Sequence, residues 1–235
     1  MNTSVEKPSF LVPSVNGIVS FASQGTLVLD FIERVGGTQP QRNGIERRLR
    51  KSIEEAGEVS EAWLNLTGMN GKGKTPADLQ EEMVDVFVVL ADTLFEHIRH
   101  LPAAYQSEGE WLLDSARLLI ETREYPAASY THDDRFWKLM GAIMLAKQAK
   151  DETWTYGNAE HVHALGNAIL NAYGASLDML YTFVDGLSTE QDAFDRELLA
   201  MLERKLTKWL KAVSGSTNAV QQAESVILKQ EGALQ

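Results

Sequence analysis

Apolar residues recur every three or four positions along most of this chain, the period of a helix that buries one face. The pattern predicts helices over about 26–35, 44–66, 75–100, 107–122, 134–151, 159–185 and 189–213, with a last amphipathic stretch at 217–231. In the second, Leu49, Ile53, Ala56 and Trp63 form the apolar side, and Glu55 and Glu58 fall near its edge. Punctuation agrees. Pro8, Pro13 and Gly17 keep residues 1–23 irregular, and Gly36-Gly37 stops the first helix. Gly68, Gly71 and Gly73 mark a loop. Thr75, Pro76 and Asp78 then supply an N-cap, a first-turn proline and a capping-box partner, and Pro102 ends that helix. No proline follows Pro126, which favours long uninterrupted helices. The expected fold is all-α, a helical bundle with additional C-terminal helices. It divides into an irregular segment 1–23, helices over 24–102, a second helical half over 103–214 and a tail helix over 215–235.

Within this frame, acidic residues interrupt apolar faces. "IEEAGEVSEAW" carries Glu54, Glu55 and Glu58 as E-E-x-x-E, and "LQEEMVDVFVVLAD" carries Glu82 and Asp85 as E-x-x-D, with 23 residues between Glu58 and Glu82. Carboxylates three and four apart share a helix face. Two helices joined by a short loop pack antiparallel, which brings the clusters together. Glu82, Asp85, Asp92 and Glu96 run as a stripe through an otherwise apolar helix, so they are expected to face inward toward a partner. Hard divalent cations are the usual partner of such oxygen clusters. The plain alternative is a solvated acidic face, stabilised by Arg47, Arg50 and Lys51 one turn earlier.

Composition narrows the field. The chain of 235 residues has a net charge of −11 and no cysteine. The charge argues against a nucleic-acid partner. Lack of cysteine removes thiolate metal sites and fits a reducing compartment. The first residues have neither a basic flank nor a long apolar run, and nothing approaches the ~20 apolar residues of a membrane span. A cytoplasmic location without membrane contact is expected.

The pattern E-E-x-x-E followed by E-x-x-D on the next helix resembles the all-α NTP pyrophosphohydrolases, the group of MazG-type enzymes, dimeric dUTPases and phosphoribosyl-ATP pyrophosphohydrolases. The resemblance covers roughly residues 45–97. It implies a MazG-like helical bundle in which Glu54 or Glu55, Glu58, Glu82 and Asp85 hold Mg2+, with Mn2+ as a substitute. It also implies hydrolysis of the α–β phosphoanhydride of a nucleoside triphosphate to monophosphate and pyrophosphate, by a homodimer or higher oligomer. One carboxylate, Glu54 or Glu55, would accept a proton from the attacking water. Many MazG-type sequences have Asn seven residues after the E-x-x-D aspartate. This chain has Asp92 there, either a further metal ligand or a sugar or base contact. Arg48, Lys51, Lys72 and Lys74 are candidates for the outer phosphates, each also readable as a solvated cation.

Two rivals follow from the same residues. "GMNGKGKT", Gly68–Thr75, matches G-x-x-x-x-G-K-T. A P-loop needs a preceding strand, however, and the 16 residues between Thr75 and Asp92 are too few for helix, loop and buried strand. The other rival is a non-enzymatic helical interaction protein with an acidic patch. His97, His100, His161 and His163 complete no zinc motif and are expected to be structural or exposed. Trp63, Trp111, Trp137 and Trp154 are expected in core or interface. Finally, residues 138–152 can be laid on 48–62, and 170–183 on 81–94. Met144, Leu145 and Gln148 then replace the three glutamates, and Asn171 and Gly174 replace Glu82 and Asp85. Chance likeness between amphipathic helices explains this somewhat better than a true repeat does.

Overall fold

The computed structural model describes residues 20–37, 44–122, 131–156, 158–181 and 191–214, with the side chains of 154–156, 191–193 and 214 apart. Among these are seven helices and no strand: α1 Phe21–Gly37, α2 Ile45–Leu66, α3 Pro76–Arg99, α4 Gln106–Glu121, α5 His132–Tyr156, α6 Ala159–Leu180 and α7 Gln191–Ser214. A single 3-10 turn, Ala103–Tyr105, leads into α4. The all-α expectation holds. The expected tail helix at 217–231, most of the irregular N-terminal segment and the end of the 159–185 helix lie outside the described residues.

Local chemistry sets several of these boundaries. At α3 the Thr75 side chain accepts from the Asp78 backbone N–H and the Thr75 N–H donates to Asp78 Oδ2 at 2.6 Å, with Pro76 in the first turn. Thr131 and Asp134 repeat this exchange before α5, which therefore starts at His132, two residues ahead of expectation. Gly68 and Gly73 have φ of 78° and 70°, the left-handed conformation that turns the chain from α2 into α3. Gly68–Thr75 thus joins two helices, and the strand a P-loop requires is absent from it.

Two expectations need correction. The first helix begins at Phe21, five residues early, because Phe21, Gln24 and Gly25 are buried. Gly36 does not stop that helix. It is a helical residue against which Asp92 packs; a Cβ there would sit 2.0 Å from Asp92 Oδ1. On α2 the buried face is Arg48, Leu49, Ser52, Glu55, Ala56, Val59 and Ala62, so Ile53 and Trp63 lie on its shoulder. Trp63 stacks on His132 of α5, with ring centroids 3.8 Å apart.

Helices α2 and α3 form one antiparallel hairpin and α5 and α6 another. α3 lies against α6 and α2 against α5, while α1, α4 and α7 wrap the outside. Aromatic rings tie the layers. Phe21 of α1 meets Phe87 of α3, Phe87 meets Tyr173 of α6, and Tyr181 bridges Phe21 to Phe194 of α7. The buried Tyr173 hydroxyl donates to the Ala116 carbonyl at 3.2 Å, which removes the cost of burying it. On the second hairpin, Leu145, Gln148 and Asn171 border one shallow recess. These are three of the positions that the sequence overlay sets against the acids.

Candidate metal centre and its cavity

The α2–α3 hairpin fixes the acidic residues by register. Residues 55 and 85 face each other, as do 48 and 92 nearer the open end. One carboxylate oxygen from each of Glu55, Glu82 and Asp85 lies within 4.8 Å of the other two. Glu55 is buried and the other two are half-buried. Three hard oxygen donors from two rigid helices fit a divalent cation of the Mg2+ or Mn2+ type.

Among the described residues lysines neutralise the trio. Lys51 Nζ lies 2.7 Å from Glu55 and 2.9 Å from Glu54, Lys74 Nζ 3.1 Å from Glu82, and Lys205 Nζ 2.5 Å from Asp85. Each carboxylate has its own ammonium group, and the three come from α2, the α2–α3 turn and α7. Burial raises the Asp85 carboxyl above its usual range, with the charges of Glu55 and Glu82 adding to the effect. Lys205 opposes it without cancelling it. Burial lowers the Lys51 and Lys205 ammonium pKa values, but the carboxylates around them win and both are raised.

Glu58 stands just outside the trio. It is exposed, yet desolvation, the charges of Glu55 and Glu82 and a hydrogen bond with Glu82 raise its pKa. Glu54 is also exposed and lines the cavity beside the trio. The expected acidic stripe on α3 does face inward, but in two parts. Glu82 and Asp85 meet lysines. Asp92 and Glu96 meet Arg48, whose Nε donates to Asp92 Oδ2 at 2.6 Å and whose other end approaches Glu96 at 3.4 Å. Arg99 closes this network on Glu96 at 2.6 Å.

Glu55 and Asp85 of the trio open on a cavity of about 550 Å3, within the ~300–1,000 Å3 typical of small-molecule sites, and Glu82 stands behind them, off its lining. Asp85, Val88, Val89 and Asp92 of α3 form one wall, and Arg47, Arg48, Arg50, Lys51, Glu54 and Glu55 of α2 form another. The third wall is α7, with Lys205, Lys208, Trp209 and Ala212.

The predicted cations are redistributed. Lys51 and Lys74 hold carboxylates and Arg48 is spent on Asp92 and Glu96. Lys72 reaches away from the cavity, to Glu61 at 2.5 Å. Sequence reasoning missed the α7 wall. Its signal was the run Lys205, Lys208, Trp209, whose spacing of three and four puts all three on one helix face. Of the tryptophans expected in core or interface, Trp63 is half-buried, Trp111 and Trp137 are exposed, and the Trp154 side chain is outside the described residues. His97 is buried, and burial lowers its pKa to about 4. His100 and His163 are exposed, and no histidine joins the acidic trio among the described residues.

No helix among the described residues is long and apolar enough to cross a membrane. Comparison with protein-family models, with characterised proteins and with solved structures gives no match in sequence or fold.

Proposed function

We propose that this chain is a divalent-metal-dependent nucleoside triphosphate pyrophosphohydrolase built on a MazG-like bundle. The observation that supports this reading is a carboxylate trio, two members of which, Glu55 and Asp85, open on a cation-lined cavity of nucleotide size. In an acidic protein, bare carboxylates repel a polyphosphate. A Mg2+ or Mn2+ ion held by Glu55, Glu82 and Asp85 would reverse that sign and polarise the phosphoryl oxygens. Glu58, against Glu82, supports the ligand set from outside.

The chain's own groups do the rest. Glu54 lines the same cavity outside the trio and is open to water, so it is the carboxylate placed to take a proton from the attacking water. The water oxygen bonds to phosphorus at the α–β anhydride, the bridging P–O bond breaks, and the electron pair leaves with pyrophosphate. Lys51, Lys74 and Lys205 neutralise the trio without a cation, and Lys51 and Lys205, which line the cavity, can turn to phosphate oxygens once a cation takes the carboxylates. The same reading places the enzyme in the cytoplasm as a homodimer or higher oligomer, which light scattering after size exclusion checks.

The test is pyrophosphate release from a panel of NTPs and dNTPs with Mg2+ or Mn2+. Turnover should fall more than roughly a hundredfold in Glu55→Gln and Asp85→Asn, with the helical signal unchanged. Glu54→Gln should lower kcat alone and leave metal affinity intact. If no nucleotide is turned over and metal leaves the melting temperature unmoved, an acidic interaction surface is the better account. Release of the γ-phosphate that depends on Lys74 and not on the carboxylates would favour the P-loop rival.

A further inference from the structure

The cavity has an apolar stretch on the side of the trio where α7 leaves Lys205. Along α3 it runs from Asp85 past Val88 and Val89 to Asp92, and along α7 from Lys205 past Lys208 and Trp209 to Ala212. Lys205 is bonded to Asp85, so the α7 residues beyond it lie progressively farther from the trio. One helical turn, about 6 Å of rise, separates Lys205 from Trp209. Val88, Val89, Trp209 and Ala212 therefore make an apolar stretch beyond the trio, with the Arg48–Asp92 pair at its far side. Trp209 is half-buried: its packing against the core orients the ring while part of it stays open to the cavity. Lys208 beside it and Arg47 across from it are exposed and make no ion pair among the described residues. Their charge is uncommitted, unlike that of Lys51, Lys74 and Lys205.

A flat π surface one turn from an anion-handling end, with the uncommitted Lys208 between them, fits a ligand with an aromatic ring and a polyphosphate on opposite ends. We infer that Trp209 of α7 is the nucleobase platform of this site, with Lys208 on the phosphate path, so that α7 determines which nucleotides are accepted. This rests on the pyrophosphohydrolase reading for its substrate class. Stacking tolerates every base, so Trp209 confers preference for nucleotides over base-free polyphosphates. Choice among bases falls to the polar groups at that end, Arg48 and Asp92.

The full chain is titrated by calorimetry, in Ca2+, with nucleoside triphosphates and separately with inorganic tripolyphosphate; pyrophosphate release in Mg2+ is measured in parallel. Trp209→Ala should weaken nucleotide binding roughly tenfold and leave tripolyphosphate binding within about twofold. Trp209→Phe, which keeps a ring and guards against a folding artefact, should restore most of the loss. Lys208→Ala should weaken both ligands alike. Equal loss of nucleotide and tripolyphosphate in Trp209→Ala, no loss of either, or no nucleotide binding by the wild type each overturns the inference. Ring-dependent binding without pyrophosphate release sinks the catalytic reading alone. Turnover indifferent to Trp209 sinks this inference alone.

Discussion

The Arg48–Asp92 pair offers a quantitative test of how the α2–α3 hairpin is locked. Its side chains are 7% and 9% exposed, and Nε donates to Oδ2 at 2.6 Å. Removing one member of such a pair costs about 3–5 kcal/mol, because the other is left as a buried charge. The two deletions are not equivalent here. In Asp92→Ala, Arg48 keeps Glu96 at 3.4 Å, which places the loss near ~3 kcal/mol. In Arg48→Met, Asp92 keeps only Arg99 at 4.0 Å, and its Oδ1 already lacks a hydrogen bond, which places the loss near ~5 kcal/mol. For a chain of this size each kcal/mol is about 2–4 °C. Melting followed by circular dichroism should therefore fall by roughly 6–12 °C and 10–20 °C respectively. Burial raises the Asp92 carboxyl pKa despite Arg48 and Arg99, so the intact pair contributes little net stability. The double variant Arg48→Met, Asp92→Leu should consequently recover to within about 2 kcal/mol of wild type. A double variant that melts at the sum of the single losses would refute the argument.

Other consequences are independent of the pair. Glu58, Asp85 and Asp92 all have carboxyl pKa values raised by burial, so the folded chain binds more protons than the unfolded one just above the ordinary carboxylate range. Their contribution is present at low pH and is lost as pH rises through the raised values. Asp78, Asp134 and Glu61 are lowered by their bonds to Thr75, Thr131 and Lys72, and withdraw support only below the ordinary range. Buried His97, lowered to about 4, and His132 act the other way and withdraw support as pH falls below the ordinary imidazole range. In chelator, the melting temperature of His97→Gln should therefore rise relative to wild type as pH falls from about 7 toward about 5; a difference that does not change with pH would contradict the lowered His97. Gly25→Ala would drive a Cβ to 1.8 Å from Ile120 Cγ2 and should cost about 1–3 kcal/mol, read by chemical denaturation. Gly57→Ala, with nothing within 4 Å, should instead stabilise α2 by about 0.5–1 kcal/mol, and the same measurement with the opposite outcome at both sites would discredit the helix packing.

The features legible in the sequence were local ones. Thr75, Pro76 and Asp78 announce α3 because a capping box involves only neighbouring residues. The acidic trio was legible because its members sit on consecutive helices joined by one turn. Gly36 was misjudged, and Gly25 fell outside the expected first helix, because their reason is remote: Gly25 makes room for Ile120 and Gly36 for Asp92. The α7 wall was missed for the same cause. Lys205 meets Asp85 across 120 residues, and no local pattern shows which carboxylate a lysine will find. Arg48 reads as a phosphate ligand because a sequence displays charge but not the neighbours, here Asp92 and Glu96, that consume it.

The account turns on whether Glu55, Glu82 and Asp85 together hold a divalent cation. Titration of Mn2+ into the full chain, followed by electron paramagnetic resonance of the free ion, measures this directly. We expect one saturable site in the wild type, weakened more than roughly tenfold in Glu55→Gln and in Asp85→Asn and unchanged in Glu110→Gln, an exposed position on α4. Equal affinity in all four proteins, or no saturable site in the wild type, would contradict it.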